Sequence, residues 1–243
     1  MFAGSIASLT VLGAPDLIVL TLTEFAEQAH RICRAAELPL LCDADHGYGN
    51  ALNVMRTVEE LEAAGVAGLS IEDTALPQPF GSQGKPQLTS IDEGVGKMRA
   101  ALEARRDAHL VIAGRTGAAA ITGVADAIAR AKAYESTGVD AIFLVGVKTR
   151  ADLEAIAAEI KLPLILGGTG KELRDPEWLA RHGVRICLQG HQPFMAAVQA
   201  VHRTLQALRE GTPPERLEDI ADDETMQRVM RNQDYTRWTK DWL

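Results

Sequence analysis

Short, continuous apolar runs alternate along this chain with longer stretches rich in Ala, Glu, Arg and Leu. The runs are Leu38–Cys42, Gly68–Ile71, Leu110–Ala113, Ala141–Val145, Leu164–Leu166 and Arg185–Leu188. Lacking a clean polar alternation, they predict parallel strands buried on both faces. The stretches Glu24–Ala36, Ala51–Ala64, Ile91–Arg105, Val124–Thr137 and Ala151–Ile160 have the composition and length of crossover helices. Thr21-x-x-Glu24 and Ser90-x-x-Glu93 have the form of capping boxes. Gly65, Gly138 and Gly183 stand just past helix ends, where a left-handed cap favours glycine.

This rhythm predicts an α/β fold of the closed β/α (TIM-type) barrel kind. The count falls short, because six complete strands and a stump at Met1–Gly4 stand where closure needs about eight. An opening strand and its helix are missing: either the chain start is placed too late, which is the expectation, or the barrel is an unusual open one. After His191 the pattern changes. Met195–Leu208 reads as a helix, and Gly211-Thr212-Pro213-Pro214 breaks it. The rest is helical in places and carries Trp238 and Trp242 near its end. Tryptophans on an undocked tail are costly, so residues 1–243 are expected to form one domain whose 212–243 tail packs on a neighbouring subunit.

Composition narrows the function classes. The chain has 243 residues and a net charge of −8, which argues against broad nucleic-acid affinity. No apolar segment has membrane length, and the start lacks the basic head of a signal peptide. Cys33, Cys42 and Cys187 are odd in number and widely spaced, as expected of reduced cysteines in a cytoplasmic protein.

The candidate chemistry sits at strand ends. Asp43-Ala44-Asp45-His46-Gly47-Tyr48-Gly49-Asn50 follows the first apolar run, and Ile71-Glu72-Asp73 ends the second. A single strand-end Asp serves as a cap or turn former. Three or more carboxylates at adjacent strand ends instead describe an oxygen-ligand site for a hard divalent ion, Mg²⁺ or Mn²⁺ rather than Zn²⁺. For His46, a ligand role and a structural role near Asn50 both stay open. Lys85 and Lys97 read as solvated or structural.

These motifs, with Thr74 and the upstream Ala14-Pro15-Asp16, resemble the isocitrate lyase/phosphoenolpyruvate mutase superfamily along nearly the whole chain. Gly4-Ser5-Ile6-Ala7-Ser8-Leu9, Glu93-Gly94-Val95-Gly96-Lys97 and Gln189-Gly190-His191 bring the resemblance to its oxaloacetate decarboxylase group. The resemblance implies a β/α barrel that binds Mg²⁺ and α-keto acids, with subunits that exchange a C-terminal helix as homodimers or homotetramers. It implies Asp43 as the direct metal ligand, with Asp45 and Glu72 completing the metal site by holding its waters. Asp16 and Tyr48 lie around them. Ser5, with the backbone of Gly4 and Ile6, cradles the α-carboxylate, Arg115 contacts the substrate carboxylate or keto oxygen, and His191 is the histidine peculiar to the group.

The implied reaction is Mg²⁺-dependent decarboxylation of oxaloacetate to pyruvate and CO₂. Asp43, Arg115 and His191 are its catalytic residues, and charge develops on the former keto oxygen as an enolate. The chain departs from the pattern in two places: Arg115-Thr116-Gly117 lacks an asparagine, and Thr169 stands where a tyrosine is expected. The stretch Phe80–Lys85 has no cysteine, which argues against isocitrate cleavage. The alternatives are a C–C lyase for another substituted malate or keto acid, and a non-catalytic keto-acid-binding paralogue. The glycines around Thr169 are not a phosphate-binding loop, since the spacing is wrong and no Ser or Thr follows Lys171. Prolines and glycines across residues 77–86 predict a mobile lid.

Overall fold

A turn of helix, α1 (Gly4–Ala7), opens the chain and runs into a wider π-type turn at Ser8–Leu12, followed by α2 (Leu22–Ala35). Strands and helices then alternate: β1 (Leu41–Asp43), α3 (Ala51–Ala63), β2 (Gly68–Glu72), α4 (Ile91–Ala104) and β3 (Val111–Thr116). The alternation continues through α5 (Ala118–Ile121), α6 (Val124–Glu135), β4 (Ala141–Val145), α7 (Arg150–Ala157), β5 (Leu164–Gly167), α8 (Pro176–Arg181) and β6 (Val184–Cys187). The structure, a computed structural model, describes residues 1–243 and divides into two units, Met1–Gly190 and His191–Leu243.

All six strands of the first unit are parallel and lie in chain order. Every strand predicted from the apolar runs is present, with ends shifted by a few residues. The sheet is an open arc: β1 and β6 are its two edges and do not pair with each other. The stump at Met1–Gly4 contributes a single parallel bridge. The Phe2 N–H donates to the Leu41 carbonyl at 2.8 Å, and the Asp43 N–H donates to the Phe2 carbonyl at 2.9 Å. Residues from Gly4 onward then turn into α1, so the barrel stands unclosed, short of its opening strand as the count of apolar runs implied.

Side-chain alternation sorts the strands into two faces. Leu69, Ile71, Ile112, Ile142, Leu144, Leu164 and Leu166 point outward and join the helices in the main core. Ala113, Ala141, Phe143 and Ile165 point inward and form a second, smaller cluster with Leu41, Val145 and Leu188. Burying each large aliphatic side chain contributes about 1.5–3 kcal/mol, so the outer layer holds the arc together.

Helix starts follow local chemistry. The capping box at Thr21 and Glu24 is complete, and a second, unforeseen one joins Asn50 and Asn53 at α3. At α4 only half of the predicted box forms, with the Ser90 hydroxyl accepting from the Glu93 N–H. Gly65, at φ 88°, is left-handed just past α3, as its position predicted.

The second unit contains α9 (Gln192–Arg209), a 3₁₀ turn at Pro214–Arg216, α10 (Asp223–Val229) and α11 (Asn232–Trp242). None of its helices contains a buried residue. In α11, Trp238 stacks on Trp242 with centroids 5.7 Å apart, and Tyr235 meets Trp238 edge-on. No helix of the chain is long and apolar enough to cross a membrane.

Candidate active site

The alternation that sends Cys42, Ile71 and Ile112 outward sends Asp43, Glu72 and Arg115 inward at the carboxyl ends of β1, β2 and β3. Register makes Glu72 the direct neighbour of Arg115 across the parallel pair. Asp43, Asp45, Glu72 and Arg115 line a cavity of about 280 Å³. Asp16, Leu17 and Ile18 close it on one side, and Leu76, Pro77 and Gln78 on another. Its place at the carboxyl ends of parallel strands is where β/α barrels carry their chemistry.

Arg115 ties the carboxylates together. Nη1 donates to Oδ1 of Asp43, and Nη2 lies 3.3 Å from Oε2 of Glu72. The guanidinium carbon stands 5.2 Å from the centroid of the Phe143 ring, and Nε is buried without a partner. Burial alone would lower the Arg115 pKa, but Asp43 and Glu72 outweigh it and raise it.

Asp45 is held by its backbone. It sits in the left-handed region at φ 47°, its N–H donates to Oδ1 of Asp43 at 3.2 Å, and its carbonyl accepts from the Glu72 N–H at 2.8 Å. Burial, then the charges of Asp43, Glu72 and Asp16, pushes its carboxyl up to about 9. Burial also pushes Glu72 up to about 7, with Arg115 pulling down and Asp43 pushing up. Four carboxylates around one guanidinium are therefore short of positive charge. A divalent cation would supply that charge, so the donor set fits a hard ion. The carboxylates surround the cavity, and no group of three His, Cys, Asp or Glu residues converges to chelate an ion directly. An ion held by one carboxylate and by waters bonded to the others is the geometry that Mg²⁺ favours.

The loop after Asp45 is strained and well anchored. Gly47 and Tyr48 have φ of 78° and 58°, and the buried Thr57 hydroxyl donates to the Gly47 carbonyl at 3.1 Å. The Tyr48 ring lies 6.2 Å from that of Phe25, and its hydroxyl pKa is raised by burial and by Asp45 and Asp43. His46 is buried, which with Lys97 nearby pushes its imidazole down to about 4. It stays neutral as part of the loop's packing and is not among the cavity-lining residues.

The other predicted residues are placed as follows. Gly4, Ser5 and Ile6 form the first turn of α1, and Gly4 packs against the Asp45 carboxylate. Asp16 lines the cavity. His191 belongs to the second unit, directly before α9, where its carbonyl accepts from the N–H groups of Phe194 and Met195. Gly117 starts α5 beyond β3, and Thr169 follows β5. Leu17, Ile18, Leu76 and Gln78 were not singled out from the sequence. Only the proline at 77 gave a signal, as the start of the predicted lid.

A model of the phosphoenolpyruvate phosphomutase family matches residues 1–209. The chain is 63% identical over 231 residues to oxaloacetate decarboxylase of Bradyrhizobium diazoefficiens, a match covering 95% of this chain and 80% of the relative. Among solved structures, phosphoenolpyruvate phosphomutase of Streptomyces platensis subsp. rosaceus superposes with a TM-score of 0.86 at 27% identity, covering 99% of this chain and 86% of that one. A phosphonopyruvate hydrolase complex with oxalate and Mg²⁺ gives the same TM-score and the same coverages at 28% identity. By sequence and fold together, the chain belongs to the phosphoenolpyruvate mutase/isocitrate lyase superfamily and within it closely resembles the oxaloacetate decarboxylases.

Proposed function

We propose that the chain is a Mg²⁺-dependent oxaloacetate decarboxylase, converting oxaloacetate to pyruvate and CO₂. The 63% identity to a decarboxylase of that name carries this reading, because the superfamily's site alone serves several reactions. Asp43 would hold the ion directly and Asp45 and Glu72 would hold it through water, with Asp16 at the cavity wall. When bound, Mg²⁺ supplies Lewis-acid stabilisation to the oxygen on which charge develops, and Mn²⁺ can do the same.

The chain's own residues do the rest. Arg115, already aimed into the cavity, offers its fork of N–H donors to the substrate's oxygens and gains most as the enolate charge grows. The first turn of α1, Gly4-Ser5-Ile6, presents N–H groups suited to a carboxylate. The role of His191, hydrogen-bonding the departing carboxylate or donating a proton, rests on the Gln189-Gly190-His191 motif. Leu17, Leu76 and Pro77 supply the apolar part of the cavity wall.

For the second unit we propose packing on a neighbouring subunit in a homodimer or homotetramer. Met195, Val198, Val201, Leu205 and Leu208 form an exposed apolar stripe on α9 at helical spacing, and Trp242 is exposed on α11. Light scattering at micromolar concentration tests this, and a monomer would refute it. All three cysteines are unpaired, which supports a cytoplasmic location.

The test of function is pyruvate release from oxaloacetate with Mg²⁺, measured against metal alone and against Asp43→Ala. Excess pyruvate that EDTA abolishes is expected. No excess over metal alone from folded, metal-bound protein would overturn the reading, and substituted malates would then be tried.

A further inference from the structure

The motif Glu93-Gly94-Val95-Gly96-Lys97 lies on α4, outside the cavity lining, yet Lys97 reaches the loop after β1 and Gly94 packs against Tyr134. Lys97 is 2% exposed. Its ammonium donates to the carbonyl oxygen of His46 at 3.0 Å, across 51 residues of chain. Burying a lysine whose one hydrogen bond goes to a loop carbonyl is expensive, and burial lowers its pKa against the opposing pull of Glu93, Glu72 and Asp73. Core packing alone would be served better by an apolar side chain of the same length.

The carbonyl it holds follows directly after Asp45. Successive carbonyls of this loop are thus fixed from two elements: that of Asp45 by the Glu72 N–H of β2, and that of His46 by Lys97 of α4. Just before them the backbone at Asp45 is left-handed, a conformation that a non-glycine residue keeps only when its surroundings impose it. One turn earlier on the same face, Gly94 lets α4 approach Tyr134, where a β-carbon would lie 2.3 Å from the hydroxyl oxygen. That hydroxyl donates to Asp73, the residue after Glu72, at 2.6 Å. The closeness of Gly94 fixes the depth of α4, and that depth sets where the Lys97 ammonium stands.

We propose that Lys97 is a positioning residue for the metal site, acting through the His46 carbonyl to hold the Asp45 carboxylate in place relative to Asp43. The proposal rests on the reading of Asp43 and Asp45 as the metal-holding pair. Lys97 touches neither substrate nor metal. Its loss frees the His46 carbonyl, between the Asp45 carbonyl held by β2 and the Gly47 carbonyl held by Thr57.

The experiment is Mn²⁺ binding to the full chain, read as free Mn²⁺ by electron paramagnetic resonance and requiring no turnover. Lys97→Met is expected to weaken Mn²⁺ binding about tenfold or more, the range typical when a group orienting a ligand is removed. Ile156→Ala, a fully buried core change on α7, serves as the structural comparison; it should lower Tm and leave Mn²⁺ affinity unchanged. If Lys97→Met does not fold, Lys97→Gln carries the test, since its shorter amide cannot span the same contact. Wild-type affinity in whichever variant folds would overturn the proposal, as would an equal loss in Ile156→Ala. Failure of the wild-type chain to bind Mn²⁺ at all would instead overturn the metal-site reading itself.

Discussion

Gly4 stands so close to the carboxylate of Asp45 that a β-carbon at residue 4 would lie 2.5 Å from Oδ2 and 2.8 Å from Oδ1. The carboxylate has little room to retreat, because the Asp45 backbone is held on both sides. Gly4→Ala should therefore displace Asp45 rather than be absorbed. Such a small overpacking costs about 1–3 kcal/mol of stability. A misplacement of about 1 Å at a reacting centre costs on the order of 10²-fold in rate. The expected result is a folded protein, modestly lower in Tm, with kcat/KM down far more than stability explains. Wild-type turnover in Gly4→Ala would mean that the position of Asp45 is not critical.

Arg115 and a divalent cation compete for the same partner, since the guanidinium donates to Asp43 and neighbours Glu72. Removing it leaves the carboxylates with no cation among the cavity-lining side chains. Arg115→Met should thus bind Mn²⁺ at least as tightly as the wild type while losing on the order of 10²–10³ in kcat, the loss typical of a missing charge-stabilising donor. Tight binding with lost turnover is the expected split. Weakened binding with intact kcat would reverse the assignment.

Much of this site was readable in the sequence because strand-end position and period-2 alternation are local. Once Cys42 and Ile71 face the helices, Asp43 and Glu72 must face the cavity. Leu17, Ile18 and Gln78 were hidden, since they reach the cavity through irregular segments with no period to follow. Lys97 was legible as structural, but its partner was not. Nothing in a helix reveals that its buried ammonium meets a carbonyl 51 residues away. The missing opening strand was legible in the count of apolar runs, six where closure needs about eight, but not that the Met1–Gly4 stump pairs through one residue only.

The carboxylates make the metal-free protein sensitive to pH in a definite direction. Glu72, at about 7, and Asp45, at about 9, keep protons that the unfolded chain releases near 4.5 and 3.8. The folded state binds more protons between those limits, so stability is fullest below the unfolded values and falls as pH rises through about 7 and then about 9. A divalent cation needs the ionised carboxylates, so its stabilisation grows over the same window. Tm in EDTA should fall between about pH 6 and about pH 9, and the increment given by Mg²⁺ should widen. An increment that stays constant would show that these two carboxylates do not ionise with metal binding.

Arg130 provides the opposite case, a buried cation whose work is stability rather than chemistry. Asp73 is fully buried, and its Oδ2 accepts from Arg130 Nη1 at 3.0 Å and from the Tyr134 hydroxyl at 2.6 Å, while Oδ1 has no partner. Arg130 also donates to Asp126 at 2.9 Å and to the Thr89 carbonyl at 2.9 Å, stitching α6 to the segment before α4. Arg130→Met removes the only cation paired with Asp73 and should cost about 3–5 kcal/mol in denaturant unfolding, the usual penalty for stranding a buried charge. Adding Asp73→Leu removes the stranded charge, and the double variant should recover most of that loss. The KM for oxaloacetate should stay within about threefold of wild type in both folded variants, since Arg130 and Asp73 lie outside the cavity lining. A double variant no more stable than Arg130→Met would show that the loss comes from Asp126 and Thr89 instead of the buried pair.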